Sequence, residues 1–287
     1  MIEVGPNAYG KQAIRLVKVV RSEAPHRIYD LTIGIALEGD FASSYAEGDN
    51  SGVIATDTMK NTAYALAADR LEGSIEEFGV ALGRHFLGES QVERATVTIE
   101  DHAWRPIGDA ADAFTRDGSM IRTARLTVGR HGLEVRAGVA DLIVMKTTRS
   151  AFRGFPRDRF TTLAETADRI LATKVTAEWQ YVPGEGIDHD AAFEAIRSTF
   201  LEVFADHDSE SVQESIWIIG RAVLERHPEV AEISMSLPNL HHWTVDLRPF
   251  GIENDRSVYV STTEPHGLIE ATIRRGESVP GPGAGGS

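Results

Sequence analysis

Apolar residues on every second position, in segments broken twice by paired helical stretches, constrain this chain more than any other feature. Leu31, Ile33, Ile35 and Leu37 alternate with Asp30, Thr32, Gly34, Ala36 and Glu38, the pattern of a strand with one buried face. Ala95, Val97 and Ile99 repeat it, then Ala124, Leu126 and Val128, then Val135, Ala137 and Val139. Val175, Ala177, Trp179 and Tyr181 follow, and later Ile233, Met235 and Leu237, then Trp243, Val245 and Leu247. Steps of three and four mark helices instead: Ile75, Phe78, Leu82 and Phe86; Phe193, Ile196, Phe200 and Phe204; Val212, Ile216, Ile219 and Val223. Ser209 is placed to cap the last of these, with Pro228 past its end. A shorter helix is expected from Thr162 to about Ala172, burying Leu163, Ala167 and Ile170.

In chain order the first half predicts strands at about 11–22 and 27–38, helices at about 56–69 and 73–88, and strands at about 93–104 and 119–129. The second half predicts strands near about 133–146 and 174–182, helices near 190–206 and 209–227, and strands near 230–237 and 241–249. The order ββααββ thus occurs twice, which divides the chain at about 1–131 and 132–274. Strand runs interrupted by helix pairs suggest an α+β fold of antiparallel sheets with helices on one face. The other face of each sheet then needs cover, and association between copies would supply it.

Charge and composition exclude several classes of function. The 287 residues carry 29 Lys plus Arg against 43 Asp plus Glu, a net charge of −14. Such a chain repels phosphate backbones and anionic membranes, so neither nucleic acid nor membrane is an expected partner. Cysteine is absent, which removes disulfides, thiolate catalysis and sulfur-ligated zinc. The opening MIEVGPNAYGK has neither a basic nor an apolar leader segment, so a cytoplasmic location is expected. The Gly- and Pro-rich stretch beyond the second repeat, about 275–287, is expected to be a disordered tail.

No dinucleotide-binding glycine motif, phosphate-binding loop or serine-nucleophile elbow is present. Nor do the histidines fall at metal-ligand spacings; His241 and His242 are adjacent, so on a strand they face opposite ways. Asp188-His189-Asp190 reads either as a cation ligand set or, more simply, as a helix cap and turn. Four blocks are left over. They are Tyr9-Gly10-Lys11; Ala55-Thr56-Asp57 leading to Lys60-Asn61-Thr62; Phe152 through Arg157-Asp158, Thr161-Thr162-Leu163 and Asp168-Arg169; and Ser236-Leu237-Pro238-Asn239 with His241.

In their order and spacing these blocks, together with Ser211-Val212-Gln213, resemble the urate oxidase family, from about residue 8 to about residue 274. The resemblance implies the tunnelling fold, two ββααββ repeats per subunit, assembled as a homotetramer with active sites at subunit interfaces. It implies oxidation of urate by O2 with no metal and no other cofactor. Arg169 and Gln213 would grip the urate edge, as a planar fork and an amide can. Phe152 would stack on its face. Val212 and Ile269 would contribute contacts, with Leu163 as wall. Lys11, Thr56 and His241 would form a proton relay, Asp57 would stand beside Thr56, and Asn239 would hold O2 or water with Thr56.

Plainer roles exist for the same residues. Arg169 in isolation reads as a helix-surface partner of Glu165, and Thr56 and Asp57 read as helix caps. The chain departs from the family pattern at Leu240, where a basic residue is common; a strand would turn Leu240 away from Asn239 and His241. No peroxisomal SKL-type end is present. Two rivals remain open: a pterin-acting enzyme of the same fold, which would need a metal, and a non-catalytic purine binder.

Overall fold

The alternating segments become strands and the three-and-four segments become helices in the computed structural model, which describes residues 2–22, 24–116, 118–184 and 186–276. The first half contains β1 (Tyr9–Val20), β2 (Arg27–Gly39), a short α1 (Ala42–Ala46), α2 (Thr56–Arg70), α3 (Ile75–Leu87), β3 (Val92–Asp101), the small pair β4 (Arg105–Pro106) and β5 (Phe114–Thr115), and β6 (Ile121–Gly129). The second contains β7 (Gly132–Lys146), β8 (Leu171–Tyr181), α4 (His189–Asp206), α5 (Val212–Arg226), β9 (Val230–Pro238), the hairpin β10 (His241–Thr244) and β11 (Tyr259–Thr262), and β12 (Leu268–Arg274). Eight strands form one antiparallel sheet in the order β1-β2-β3-β6-β7-β8-β9-β12. The ββααββ order appears in each half, an α+β arrangement.

Register places the buried alternation on one face. Ile33 pairs with Ile99 and Ile35 with Val97, then Val97 pairs with Leu126, and all are sealed from solvent. The helices lie on that face, and glycines set how closely they approach. A Cβ on Gly79 of α3 would stand 2.3 Å from Leu126 Cδ2, and one on Gly83 would stand 2.6 Å from Val128 Cγ2. Gly79→Val should therefore destabilise the protein by about 1–3 kcal/mol through overpacking. A thermal melt matching the parent would contradict it.

The helix-free face is mixed: polar side chains dominate it, but Val17, Ile143 and Met145 stand at least half exposed there. It presents Thr96, Thr98, Thr127, Arg125, Arg136, Glu178, Gln180 and Ser234, and Arg136 pairs there with Glu232 at 3.0 Å. The expected need for cover thus applies to those apolar side chains, while hydroxyl and charged groups solvate the rest of this face.

Four further expectations need correction. The last strand of the second unit is β12, and the segment expected as a strand at 241–249 contributes only the short β10, paired with β11 outside the main sheet. The helix expected from Thr162 is absent. There the Thr166 hydroxyl donates to Asp168 O at 2.7 Å, and Thr166 exchanges two main-chain bonds with Phe152, competing directly with helical pairing. The cap of α5 is Ser211, which accepts from Glu214 N at 3.1 Å, not Ser209. Arg275, expected in the tail, donates Nε to Val230 O at 3.0 Å; residues 277–287 lie outside the described residues.

Charges are buried where the two halves meet. Glu76 of α3 is fully buried and accepts from Arg122 of β6 at 2.7 Å. Arg122 reaches Asp190 of α4 at 2.7 Å, and Asp190 also takes Arg27 at 2.8 Å. Asp188 caps α4, accepting from Ala191 N at 3.0 Å, so the Asp-His-Asp triplet is a cap and a clamp. Burial, outweighing Arg122, pushes the Glu76 carboxyl up to about 7. A pKa raised on folding favours the native state while the group stays neutral. That contribution is complete below the unfolded value of 4.5 and is lost as the pH climbs through about 7. Glu76→Gln should therefore gain in melting temperature relative to the parent as the pH is raised across this window. Parallel melting curves would count against it.

Candidate active site

A cleft of about 820 Å³ opens between the β8–β9–β12 end of the sheet and the β10–β11 hairpin. Its floor is the irregular segment joining β7 to β8. Phe152 is pinned there by the exchange with Thr166, N–H to O at 2.9 Å and back at 3.0 Å, and its ring stacks on Phe155 with centroids 5.0 Å apart. Asp168 anchors the segment by accepting from the Thr148 hydroxyl at 3.0 Å. Burial would raise its carboxyl, but the Thr148 hydroxyl, the main-chain amides of 150 and 149, and Arg256 together hold it below the usual range.

Arg169 follows and carries the site's electrostatics. Its guanidinium lies over the Phe152 ring at 5.3 Å, its Nε is buried without a hydrogen-bond partner, and burial draws its pKa down. It makes no ion pair among the described residues, and the expected alternative partner Glu165 accepts from Gly154 N instead. A half-buried guanidinium without a carboxylate is costly unless an anion meets it.

The remaining walls come from elements far apart in sequence. The first turn of α5 brings buried Val212 and exposed Gln213, whose position follows from the Ser211 cap. Ile269 enters from β12. Asn239 stands just past β9, its main-chain N–H donating to Gly267 O at 2.9 Å. His241 opens β10 and stacks on Trp243 at 5.3 Å. Burial, then the charge of Arg169, holds its imidazole below the usual histidine range. Leu163 borders the cleft with 43% of its surface exposed, not buried in a helix. Leu240 also borders it, contrary to the expectation that it would point away, and its amide donates to Ala172 O at 2.8 Å.

Lys11, Thr56 and Asp57 are elsewhere. Lys11 lies on β1, opposite Ile35 and just before a bulge where Ala13 has φ +56°. Thr56 is the first residue of α2, whose cap position is Ala55 with no side-chain cap bond, so Thr56 and Asp57 are not caps. Asp57 bonds Lys60 and accepts from Asn61 Nδ2 at 3.1 Å. Lys60 chiefly, with a weaker pull from Lys11, holds its carboxyl low. Lys11 and the start of α2 thus form one group on the β1 edge, while the cleft sits at the β12 edge. Seven inter-strand steps of about 4.8 Å put these edges on the order of 30 Å apart along the sheet.

The sequence reading missed Trp243, Tyr259 and Arg256, which also border the cleft. Trp243 was read as core of a sheet strand, yet it is half exposed on the hairpin. Among the described residues no three His, Asp or Glu side chains are grouped to hold a metal, and no helix is long and apolar enough to cross a membrane.

Comparison with known proteins bears on both halves. The chain matches the Uricase family over residues 7–127 and 135–270. It is 46% identical to the uricase of Arthrobacter globiformis, covering 96% of this chain and 90% of that one. It is 39% identical to the uricase of Dictyostelium discoideum, covering 95% and 97%. The crystal structure of the Arthrobacter globiformis uricase superposes with a TM-score of 0.93 at 46% identity, covering 97% of each chain. A match running through both ββααββ units, with such identity over nearly the full length, leaves one assignment: this chain belongs to the uricase family.

Proposed function

We propose that this chain oxidises urate with O2 and water to 5-hydroxyisourate and hydrogen peroxide, without a resident cofactor. The observation that carries the reading is the unpaired Arg169 beside Phe152 and Gln213. A planar anion edged with amide-like groups supplies the charge that Arg169 lacks, a face for Phe152 and an edge for the Gln213 amide. Val212 and Ile269 close the pocket around it, with Leu163 as wall.

Urate itself supplies the electrons. Once deprotonated it is an electron-rich conjugated ring that can pass an electron to O2 when both are held together. A peroxide formed at the ring loses hydrogen peroxide, and water adds in its place, so one O2 and one water are consumed per product pair. Asn239 and Thr56 hold O2 and then water above the ring. Protons leave and return through Lys11, Thr56 and His241.

The relay then requires two copies. β1 and β12 each have a sheet neighbour on one side only, and an unpaired strand edge is a template for another chain. In a two-fold pair, each β1 set antiparallel against the other copy's β12 carries Lys11, Thr56 and Asp57 to the neighbour's cleft. Two such pairs make the homotetramer. The uncapped amides at the start of α2 then face an anion, which suits their partial positive charge.

The test is loss of urate's ultraviolet absorption on adding purified protein, with stoichiometric release of peroxide and no loss of rate after exhaustive chelation. No urate consumption would end the reading. Activity abolished by chelation and restored by a metal would instead favour the metal-dependent chemistry of the pterin-acting enzymes that share this fold.

A further inference from the structure

We infer that Ser209, Ser215 and His207 are positioning residues for the purine site, fixing the separation between Phe152 and Gln213; this rests on the urate reading above. None of the three borders the cleft. They act through main chain on one side and a helix cap on the other.

Ser209 joins the two pieces. Its amide donates to Arg149 O at 3.0 Å and its carbonyl accepts from Ala151 N at 2.7 Å, which holds the residues immediately before Phe152. Its hydroxyl is buried, donates to Ser211 O at 3.0 Å and lies 2.9 Å from Ser215 Oγ. Ser211 is the cap whose position places Val212 and Gln213. One residue thus fixes the ring-bearing segment with its backbone and the amide-bearing helix start with its side chain.

Ser215 and His207 hold Ser209 and Ser211 in turn. Ser215 is fully buried, its Oγ 3.1 Å from Ser211 O and 2.9 Å from His207 Nε2. His207 Nδ1 lies 2.8 Å from Val203 O. A carbonyl only accepts, so the ring hydrogen sits on Nδ1 and Nε2 is left to accept from the Ser215 hydroxyl. The His207 carbonyl is fixed by the Lys146 ammonium, and Arg149 Nη1 donates to Asp206 O at 2.7 Å. With the Ser215 hydrogen on His207 Nε2, the Ser209 hydroxyl has one hydrogen to share between Ser211 O and Ser215 Oγ, so each donor still finds an acceptor. Removing the Ser215 hydroxyl strands a half-buried imidazole nitrogen and loosens the cap, without touching any group that meets the substrate.

The experiment compares Ser215→Ala and Ser209→Ala in the full-length protein with the same changes made in a Gln213→Ala background. The expected result is a rise in KM for urate of roughly five- to tenfold with kcat within about twofold. In the Gln213→Ala background the added rise should shrink to within about twofold, because the misplaced group is no longer there. Ser215→Thr, which keeps a hydroxyl, should restore most of the lost affinity. A lower melting temperature with unchanged KM, or the same KM penalty in both backgrounds, overturns the positioning role. If Ser215→Ala does not fold, Ser209→Ala decides alone. An unmodified protein that leaves urate intact overturns the functional reading and this one together, whereas an active parent with unaffected variants overturns this one only.

Discussion

Arg169→Ala is expected to lower kcat/KM for urate by roughly a hundred- to a thousandfold while leaving the melting temperature unchanged or higher. The two signs have one cause. In the free protein the guanidinium is half buried, has no ion-pair partner among the described residues and has an unsatisfied Nε, so deleting it removes a desolvation cost. With the anion bound, the same group makes charge-assisted bonds whose loss costs about 2–5 kcal/mol, at about 1.4 kcal/mol per tenfold. Lysine should recover little, because it keeps the charge but not the planar fork or its contact with Phe152. Steady-state kinetics beside a thermal melt make the check. A clear drop in stability would show that Arg169 serves the fold, and near-parental kcat/KM would remove it from the site.

Lys11→Met should lower kcat by roughly a hundred- to ten-thousandfold with KM changed only a few-fold, and His241→Ala should behave alike, since each interrupts proton transfer rather than binding. The more telling result comes from making both variants together in one cell. In a two-fold pair of unlike copies, one site collects both lesions and the other neither, so random pairing returns about a quarter of the parental activity. Each variant alone stays near zero. If Lys11 and His241 served a centre within one chain, co-production would restore nothing. The fold already argues against that arrangement, because Lys11 lies on the β1 edge of the sheet and His241 on the hairpin beside its other end.

Much of this was legible in the sequence wherever a residue pattern has one physical reading. The alternation in β2, β3 and β6 and the stepping in α3, α4 and α5 predicted those elements within a few residues, because each has one strongly buried face. Legibility failed where burial is weak. In β12 only Ile269 and Ile273 turn even partly inward and the rest are exposed, so the strand left no alternating trace, and the stronger pattern of Trp243, Val245 and Leu247 was taken for it. The segment from Thr162 to Ile170 has helical spacing, yet Thr166 and Asp168 satisfy its backbone locally. Ser209 and Ser211 are both good caps by type, and only the burial of the Ser209 hydroxyl separates them.

The cleft was legible in a different way. Nothing in the spacing of Phe152, Arg169, Gln213, Asn239 and His241 says that they meet; only the resemblance suggested it, and the fold brings all five to one cleft. Trp243 and Tyr259 were missed because their neighbours look like sheet strands, while the hairpin that carries them stands outside the sheet.

The water-compatible side of the main sheet has a consequence for how the protein ages and fails. If copies associate as proposed, their separation bares mostly threonines, serines and ion pairs beside a few apolar side chains such as Val17 and Ile143, and each protomer keeps its two packed cores. Dilution should then silence the enzyme without denaturing it, and reconcentration should bring the activity back.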